Sequence, residues 1–170
     1  RAIEILKKVS YIACEDTRRT GLLLKSLKIG GRPMLISYYE QTEQVRIPNL
    51  LNLLINGEDV ALVSDSGTPT ISDPGFKLVR ECVARNIKVV SIPGPSALIS
   101  ALASSALPTD KFIFLGFLPR KPGHRLKILE NLKSANEKLE ATIIIYEAPH
   151  RINKSLTRIH SLFGNIQITL

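Results

Sequence analysis

Cysteine is scarce in this chain. Cys14 and Cys82 stand far apart with no Cys-x-x-Cys spacing, which argues against a structural zinc site and against a disulfide framework. Both are expected to be reduced, buried thiols of a cytoplasmic protein. Long hydrophobic runs are missing as well. No stretch approaches the roughly 20 apolar residues that span a bilayer, and no charged-then-apolar leader resembles a signal peptide, so no membrane association is expected. Aromatic residues make up 5% of the chain and form no Phe/Tyr ladder, which leaves no stacking platform for single-stranded nucleic acid. The three histidines build no Ser/His/Asp set and no metal cluster. His160 lies on a periodic helix. His150 reads either as a helix-start residue or as part of a polar edge described below. Neither a Gly-Lys-Ser/Thr phosphate loop nor a Gly-x-Gly-x-x-Gly dinucleotide fingerprint is present.

What the chain does have is charge of one sign and a regular alternation of elements. The formal net charge is +8, which fits a polyanionic partner such as RNA as readily as generic surface charge. The cations are clustered: Arg18 with Arg19, and Arg120, Lys121, His124, Arg125 and Lys127. Apolar runs at 11–14, 34–38, 60–63, 89–92, 112–115, 142–146 and 166–170 predict strands. Between them, apolar stripes at helical spacing predict helices over 2–9, 22–27, 47–55, 76–85, 96–106, 126–132 and 152–163, the last ended by Gly164. The 96–106 helix is apolar on most faces and is expected to be buried. Strand–helix alternation of this kind implies an α/β protein with largely parallel sheets. The segment 107–111 is the plausible linker, dividing the chain into 1–108 and 109–170. Arg1 opens in the middle of a helical pattern with no initiator Met, as a fragment would.

In such folds ligands lie outside the carboxyl ends of the strands. Those ends carry Glu15-Asp16-Thr17-Arg18, Tyr39-Glu40, Ser64-Asp65-Ser66-Gly67, Pro93-Gly94-Pro95-Ser96, Gly116-Phe117 and Tyr146-Glu147. The longest is the loop Ser64-Asp65-Ser66-Gly67-Thr68-Pro69-Thr70-Ile71-Ser72-Asp73-Pro74-Gly75. Its small and φ-restricted residues let a backbone approach a bound molecule. Asp73-Pro74 reads as a helix cap followed by a first helical residue, and Pro95 likewise as a helix start. The inner part, Asp65 to Pro69, lies before any cap is needed and reads as a ligand contact. Glu15, Asp16 and Arg18 are either helix-start decoration or functional groups.

Five ordered motifs together resemble one family: Ala13-Cys14-Glu15-Asp16-Thr17-Arg18, the 64–75 loop, Ile92-Pro93-Gly94-Pro95-Ser96-Ala97, Phe114-Leu115-Gly116-Phe117-Leu118-Pro119 and Tyr146-Glu147-Ala148-Pro149-His150-Arg151. The chain resembles the ribosomal RNA small-subunit methyltransferase I group of the tetrapyrrole methylase superfamily over almost its whole length. The resemblance implies two α/β domains with mostly parallel sheets, a cofactor cleft between them, and a homodimer. It implies methylation of a cytidine ribose 2′-hydroxyl in small-subunit (16S) ribosomal RNA with S-adenosylmethionine as donor. Carried onto this sequence, the cofactor contacts are Asp65, Gly67, Thr68, Pro69, Ile71, Ser96, Ala97, Tyr146, Glu147 and Ala148. Thr68 stands where the porphyrin-modifying relatives carry Asp, which favours the RNA branch. The resemblance further places a first strand with a Pro/Gly-rich loop before Arg1, and an Arg-Glu-Leu-Thr-Lys-type segment beyond Leu170.

A ribose hydroxyl is a weak acid and needs a proton acceptor as its oxygen attacks. Asp16 and Glu15 are the carboxylates available for that role. Arg18 is suited to a flanking phosphate, and Arg120, Lys121, Arg125 and Lys127 to the RNA backbone. A 2′-hydroxyl target also excludes DNA. Two other readings stay open: a methyltransferase of the same fold acting on a tetrapyrrole or other small molecule, and a catalytically inert RNA-binding module.

Overall fold

The computed structural model describes residues 1–170 except positions 32 and 93. The chain divides into two compact units, Arg1–Thr109 and Asp110–Leu170. No described helix is long and apolar enough to cross a membrane.

The first unit is built on a parallel sheet of order β2-β1-β3, with β1 Tyr11–Cys14, β2 Met34–Ser37 and β3 Val60–Val63. Tyr11 aligns with both Met34 and Val60, so the three strands end level with one another. The central strand is apolar throughout because both of its faces are covered, as parallel sheets require. Ile12, Ala13 and Cys14 are fully buried. Side chains alternate across a strand, and here they divide the core in two. Ile12 and Cys14 pack with Leu6, Val9 and Leu24, on the side of α1 (Ala2–Leu6) and α2 (Thr17–Ser26). Ala13 packs on the other side with Tyr38, Leu50, Leu78 and Cys82, the last three from α3 (Glu43–Ile55) and α4 (Phe76–Ala84). Both cysteines are free and buried, and burial pushes both thiols above their usual range. Helix α5 (Ala97–Ser104) follows α4 in the chain.

The second unit pairs β4 (Phe112–Phe117) with β5 (Thr142–Tyr146), again in parallel, with an irregularity between Phe114 and Phe117 where Gly116 adopts φ +63°. One sheet face packs on α6 (Pro122–Leu139) and α7 (Ile152–Phe163): Ile113, Leu115, Ile143 and Ile145 meet Leu129, Leu132, Ile159 and Leu162. The other face carries Phe114 and Phe117 around Tyr146, with ring centroids 4.8 and 5.6 Å away. Gly164, at φ +75°, ends α7.

Five expectations are corrected. Residues 89–92 and 166–170 are not paired as strands. Their β-branched sequence supplies a surface fit for pairing, but a ladder also needs a partner strand. Helix α2 begins at Thr17, five residues before the expected start, because Asp16 caps it. Helix α5 is half-buried, with Leu102 inward and Ala97 and Ala101 exposed. Its N-cap is Ser96, so Pro95 precedes the helix. The cap of α4 is Gly75 instead of Asp73, for a reason that lies in the site itself.

Candidate functional site

Because β1, β2 and β3 end level, their following residues share one edge of the first unit. Asp16 is fixed first. As the N-cap of α2 its Oδ1 accepts the amides of Arg18 (2.8 Å) and Arg19 (3.4 Å). The Arg18 guanidinium closes on the same carboxylate, 3.1 Å from Nε to Oδ1 and 2.7 Å from Nη2 to Oδ2. This pairing, with the Arg18 amide, holds the Asp16 carboxyl well below the usual carboxylate range. Glu15 turns the other way. Its Oε2 accepts the Asp65 amide at 3.2 Å, and Arg19 reaches the Asp65 carboxylate at 3.2 Å. The ends of β1 and β3 are thereby stitched together. Glu15, Asp16, Arg18 and Asp65 form one cluster.

The 64–75 loop leaves β3 in a contorted path. Gly67, Thr70, Ser72 and Gly75 all have positive φ, of 75°, 79°, 56° and 130°. Two of these are not glycine, and Thr70 is β-branched, a conformation that persists only when its surroundings enforce it. Here the Ser64 hydroxyl donates to the Ser66 carbonyl, the Ile71 amide to Thr68 (3.1 Å) and the Thr70 amide to Pro74 (3.2 Å). The buried Thr109 hydroxyl donates to the Thr70 carbonyl at 2.5 Å. Thr70 itself is buried, and its hydroxyl has no partner among the described residues. Asp65, Ser66 and Gly67 are exposed at the turn of the loop. Thr68, Pro69 and Thr70 line an apolar groove of about 450 Å³ along the free edge of β3.

The loop closes on Glu43, which caps α4 from outside. The buried Glu43 accepts the Gly75 amide at 2.9 Å, the Tyr38 hydroxyl at 2.9 Å and the Lys77 ammonium at 3.0 Å. Burial alone would raise this carboxyl, but Lys77, the Gly75 amide and Tyr38 together bring it below its ordinary value. With the first amide of the helix bound this way, Asp73 is not needed as a cap. Gly75 is also enforced sterically, since a Cβ there would lie 2.6 Å from Leu62 Cδ2 and 3.2 Å from Thr70 Cγ2. Sequence reasoning missed Glu43, Thr70 and Thr109. An acid in the first turn of α3 reads as a partner of the helix dipole, and no local signal links it to a glycine 32 residues on.

Gly94 is exposed, Ser96 spends its hydroxyl on the Ile99 amide at 3.5 Å, and Ala97 is the exposed first residue of α5. Pro93 lies outside the described residues. In the second unit Tyr146 is held edge-on by Phe114. Glu147 is nearly saturated internally: it accepts the Ala148 amide (2.8 Å) and the Ser155 hydroxyl (2.6 Å) and pairs with Arg151 (2.5 Å). Burial opposes these contacts, yet they win and keep its carboxyl below the ordinary value. Glu147 thus fixes the turn into α7. His150 sits exposed in the 3₁₀ turn Pro149–Arg151, and His160 is exposed on α7. Arg120, Lys121, Arg125 and Lys127 gather at the start of α6, whose first turn has no acid and no side-chain cap. None of the four joins an ion pair among the described residues. No His/Cys/Asp/Glu cluster suited to a metal occurs among the described residues.

Residues 1–166 match the family of tetrapyrrole (corrin/porphyrin) methylases. The chain is 47% identical over its full length to ribosomal RNA small subunit methyltransferase I of Hydrogenobaculum sp., of which it spans 71%. It is 49% identical to the protein of that name from Synechocystis sp., over 96% of this chain and 57% of the relative. The counterpart in Halalkalibacterium halodurans is 42% identical over the full chain, which again spans 57% of it. The parallel α/β units, the polar edge and these matches have one consequence: the chain belongs to the tetrapyrrole methylase family, within its ribosomal RNA small subunit methyltransferase I group.

Proposed function

We propose that this chain carries the donor-binding and catalytic edge of an S-adenosylmethionine-dependent methyltransferase. Its acceptor is a cytidine ribose 2′-hydroxyl in 16S ribosomal RNA of the small subunit. The observation that carries the reading is the pinned 64–75 loop, whose exposed turn stands beside the Glu15–Asp16–Arg18 cluster at the ends of β1 and β3. The donor suits this edge. The buried Thr70 hydroxyl has no partner among the described residues, and the Asp65 and Glu15 carboxylates complement a cationic ligand.

Asp65, Gly67, Thr68, Pro69 and Ile71 hold the donor in this reading, joined by Ser96 and Ala97. When bound, the donor supplies a methyl group on a sulfonium. The chain's own residues align the acceptor and take its proton, which is most of what an in-line displacement asks of an enzyme. Of the two carboxylates, Asp16 is the weaker proton acceptor, because Arg18 and two amides already engage it. Glu15 is the better placed base, since the one bond its carboxylate makes among the described residues is from the Asp65 amide to Oε2. Asp16 then aims Arg18, whose side chain is 87% exposed, toward a flanking phosphate. Arg120, Lys121, Arg125 and Lys127 supply further phosphate contacts, where the uncapped start of α6 also favours an anion. The protein works as a cytoplasmic homodimer, the partner that the family resemblance implies.

The test uses the full-length protein with tritiated S-adenosylmethionine and small ribosomal subunits, followed by nucleoside analysis. Label in 2′-O-methylcytidine is the expected result. Label in a base, label in a small molecule only, or RNA binding without transfer would each refute the reading.

A further inference from the structure

The loop's strain raises the question of what holds it. Thr70 and Ser72 occupy left-handed backbone conformations at φ 79° and 56°, which side chains resist, and Gly75 at φ 130° leads directly into α4. Such a path relaxes unless both ends are fixed. The Asp65 end is fixed by Glu15 and Arg19. At the Gly75 end the anchor is a side chain from a different element. Glu43 is buried in the first turn of α3, 32 residues away, and receives three donors from three places: the Gly75 amide, the Tyr38 hydroxyl next to the end of β2, and Lys77 on α4. Tyr38 is fully buried in the core cluster of α3 and α4, so the clamp is rooted in the core. The cost of burying one carboxylate is offset only by so complete a set of donors.

We propose that Glu43 is a positioning residue for the methyl donor. By tying the Gly75 amide to Tyr38 and Lys77, it locks the 64–75 loop in the strained form that presents its 65–69 backbone. It touches neither donor nor RNA. The inference rests on the reading of this loop as the donor site.

The experiment uses the full-length enzyme and the variants Glu43→Ala, Glu43→Gln, Tyr38→Phe and Asp65→Ala. Donor affinity is read by calorimetry with S-adenosylmethionine, and steady-state kinetics separate KM for donor, KM for small subunits and kcat. Hydrogen exchange follows the loop amides without donor. Loss of the clamp in Glu43→Ala should raise the donor Kd and KM about tenfold, the scale of one lost charge-assisted hydrogen bond. The subunit KM should stay within about twofold, and saturating donor should restore kcat. Tyr38→Phe, which keeps two of the three donors, should raise the donor Kd about two- to threefold, and Glu43→Gln should fall between. A purely structural role would lower the melting temperature and leave the donor KM unmoved. Should Glu43→Ala fail to fold, Glu43→Gln and Tyr38→Phe carry the test. Unchanged donor Kd or unchanged loop exchange in a folded Glu43 variant overturns the clamp. If Asp65→Ala weakens donor binding while the Glu43 variants do not, the clamp alone falls. If loop exchange rises in the Glu43 variants yet donor affinity ignores both positions, the donor-site reading falls and the clamp as a donor-positioning device falls with it.

Discussion

Replacing Gly75 by alanine tests how tightly the loop is folded against β3. Two penalties follow from the geometry. The first is conformational: φ +130° is a region that residues with a side chain rarely enter, at a cost of about 1–3 kcal/mol. The second is steric, since the new methyl would sit 2.6 Å from Leu62 Cδ2 and 3.2 Å from Thr70 Cγ2. Neither neighbour can yield freely, because Leu62 packs on the α3/α4 core cluster and Thr70 is pinned by Thr109 and Pro74. Overpacking of this kind costs about 1–3 kcal/mol. The sum is about 2–6 kcal/mol, a large part of the stability of an ordinary domain. Urea unfolding followed by circular dichroism should show the midpoint falling with little change in slope. Gly31→Ala is the control, for Gly31 also has positive φ (88°) but a Cβ there meets nothing within 4 Å. It should lose the conformational part alone. If Gly75→Ala costs no more than Gly31→Ala, the close approach of the loop to Leu62 is refuted.

Other perturbations are as direct. Leu129 is fully buried at the centre of the second unit, so Leu129→Ala should cost about 2–5 kcal/mol in denaturant titration. The Glu43 carboxyl is held below the ordinary glutamate value of 4.5 in the folded state, so its stabilisation is complete above that pH and is lost as pH falls toward the lowered value. Urea midpoints measured from about pH 6 down to pH 3 should therefore drop more steeply for the parent than for Glu43→Gln. Asp16→Asn should leave the urea midpoint close to that of the parent, because asparagine caps a helix as well as aspartate does. Glu15→Gln should lower kcat about 100-fold or more even at saturating donor, and equal turnover by that variant would remove Glu15 as the base.

Much of the fold was legible because it rests on local pattern. An apolar run such as Tyr11–Cys14 fits a strand covered on both faces, and the stripes at Leu50, Leu51 and Leu54 or at Ile152, Leu156 and Ile159 fit helices with one inward side. The edge of the site was legible for the same reason, since parallel strands put their following loops together. Pairing was not. Val89-Val90-Ser91-Ile92 and Ile166-Gln167-Ile168-Thr169-Leu170 have strand composition, but a ladder depends on a neighbour that the segment itself does not specify. Nor was the anchoring of the loop legible. Asp73-Pro74 carries every local sign of a helix cap, and the cap is displaced by one carboxylate from a distant turn. Asp16 shows the converse: its signal as a cap was present in the sequence, and its partnership with Arg18 needed the folded geometry.

The placement of the two cysteines gives the molecule a pair of built-in probes. Both lie in the first unit, Cys14 among the residues facing α1 and α2 and Cys82 among those facing α3 and α4. Each thiol is buried and free, and each is poorly ionised because burial disfavours the thiolate. Neither reacts with an alkylating agent until its own side of the sheet opens. The order in which the two labels appear therefore reports which layer of the first unit loosens first. The second unit contains no thiol, so its opening leaves no trace in the measurement.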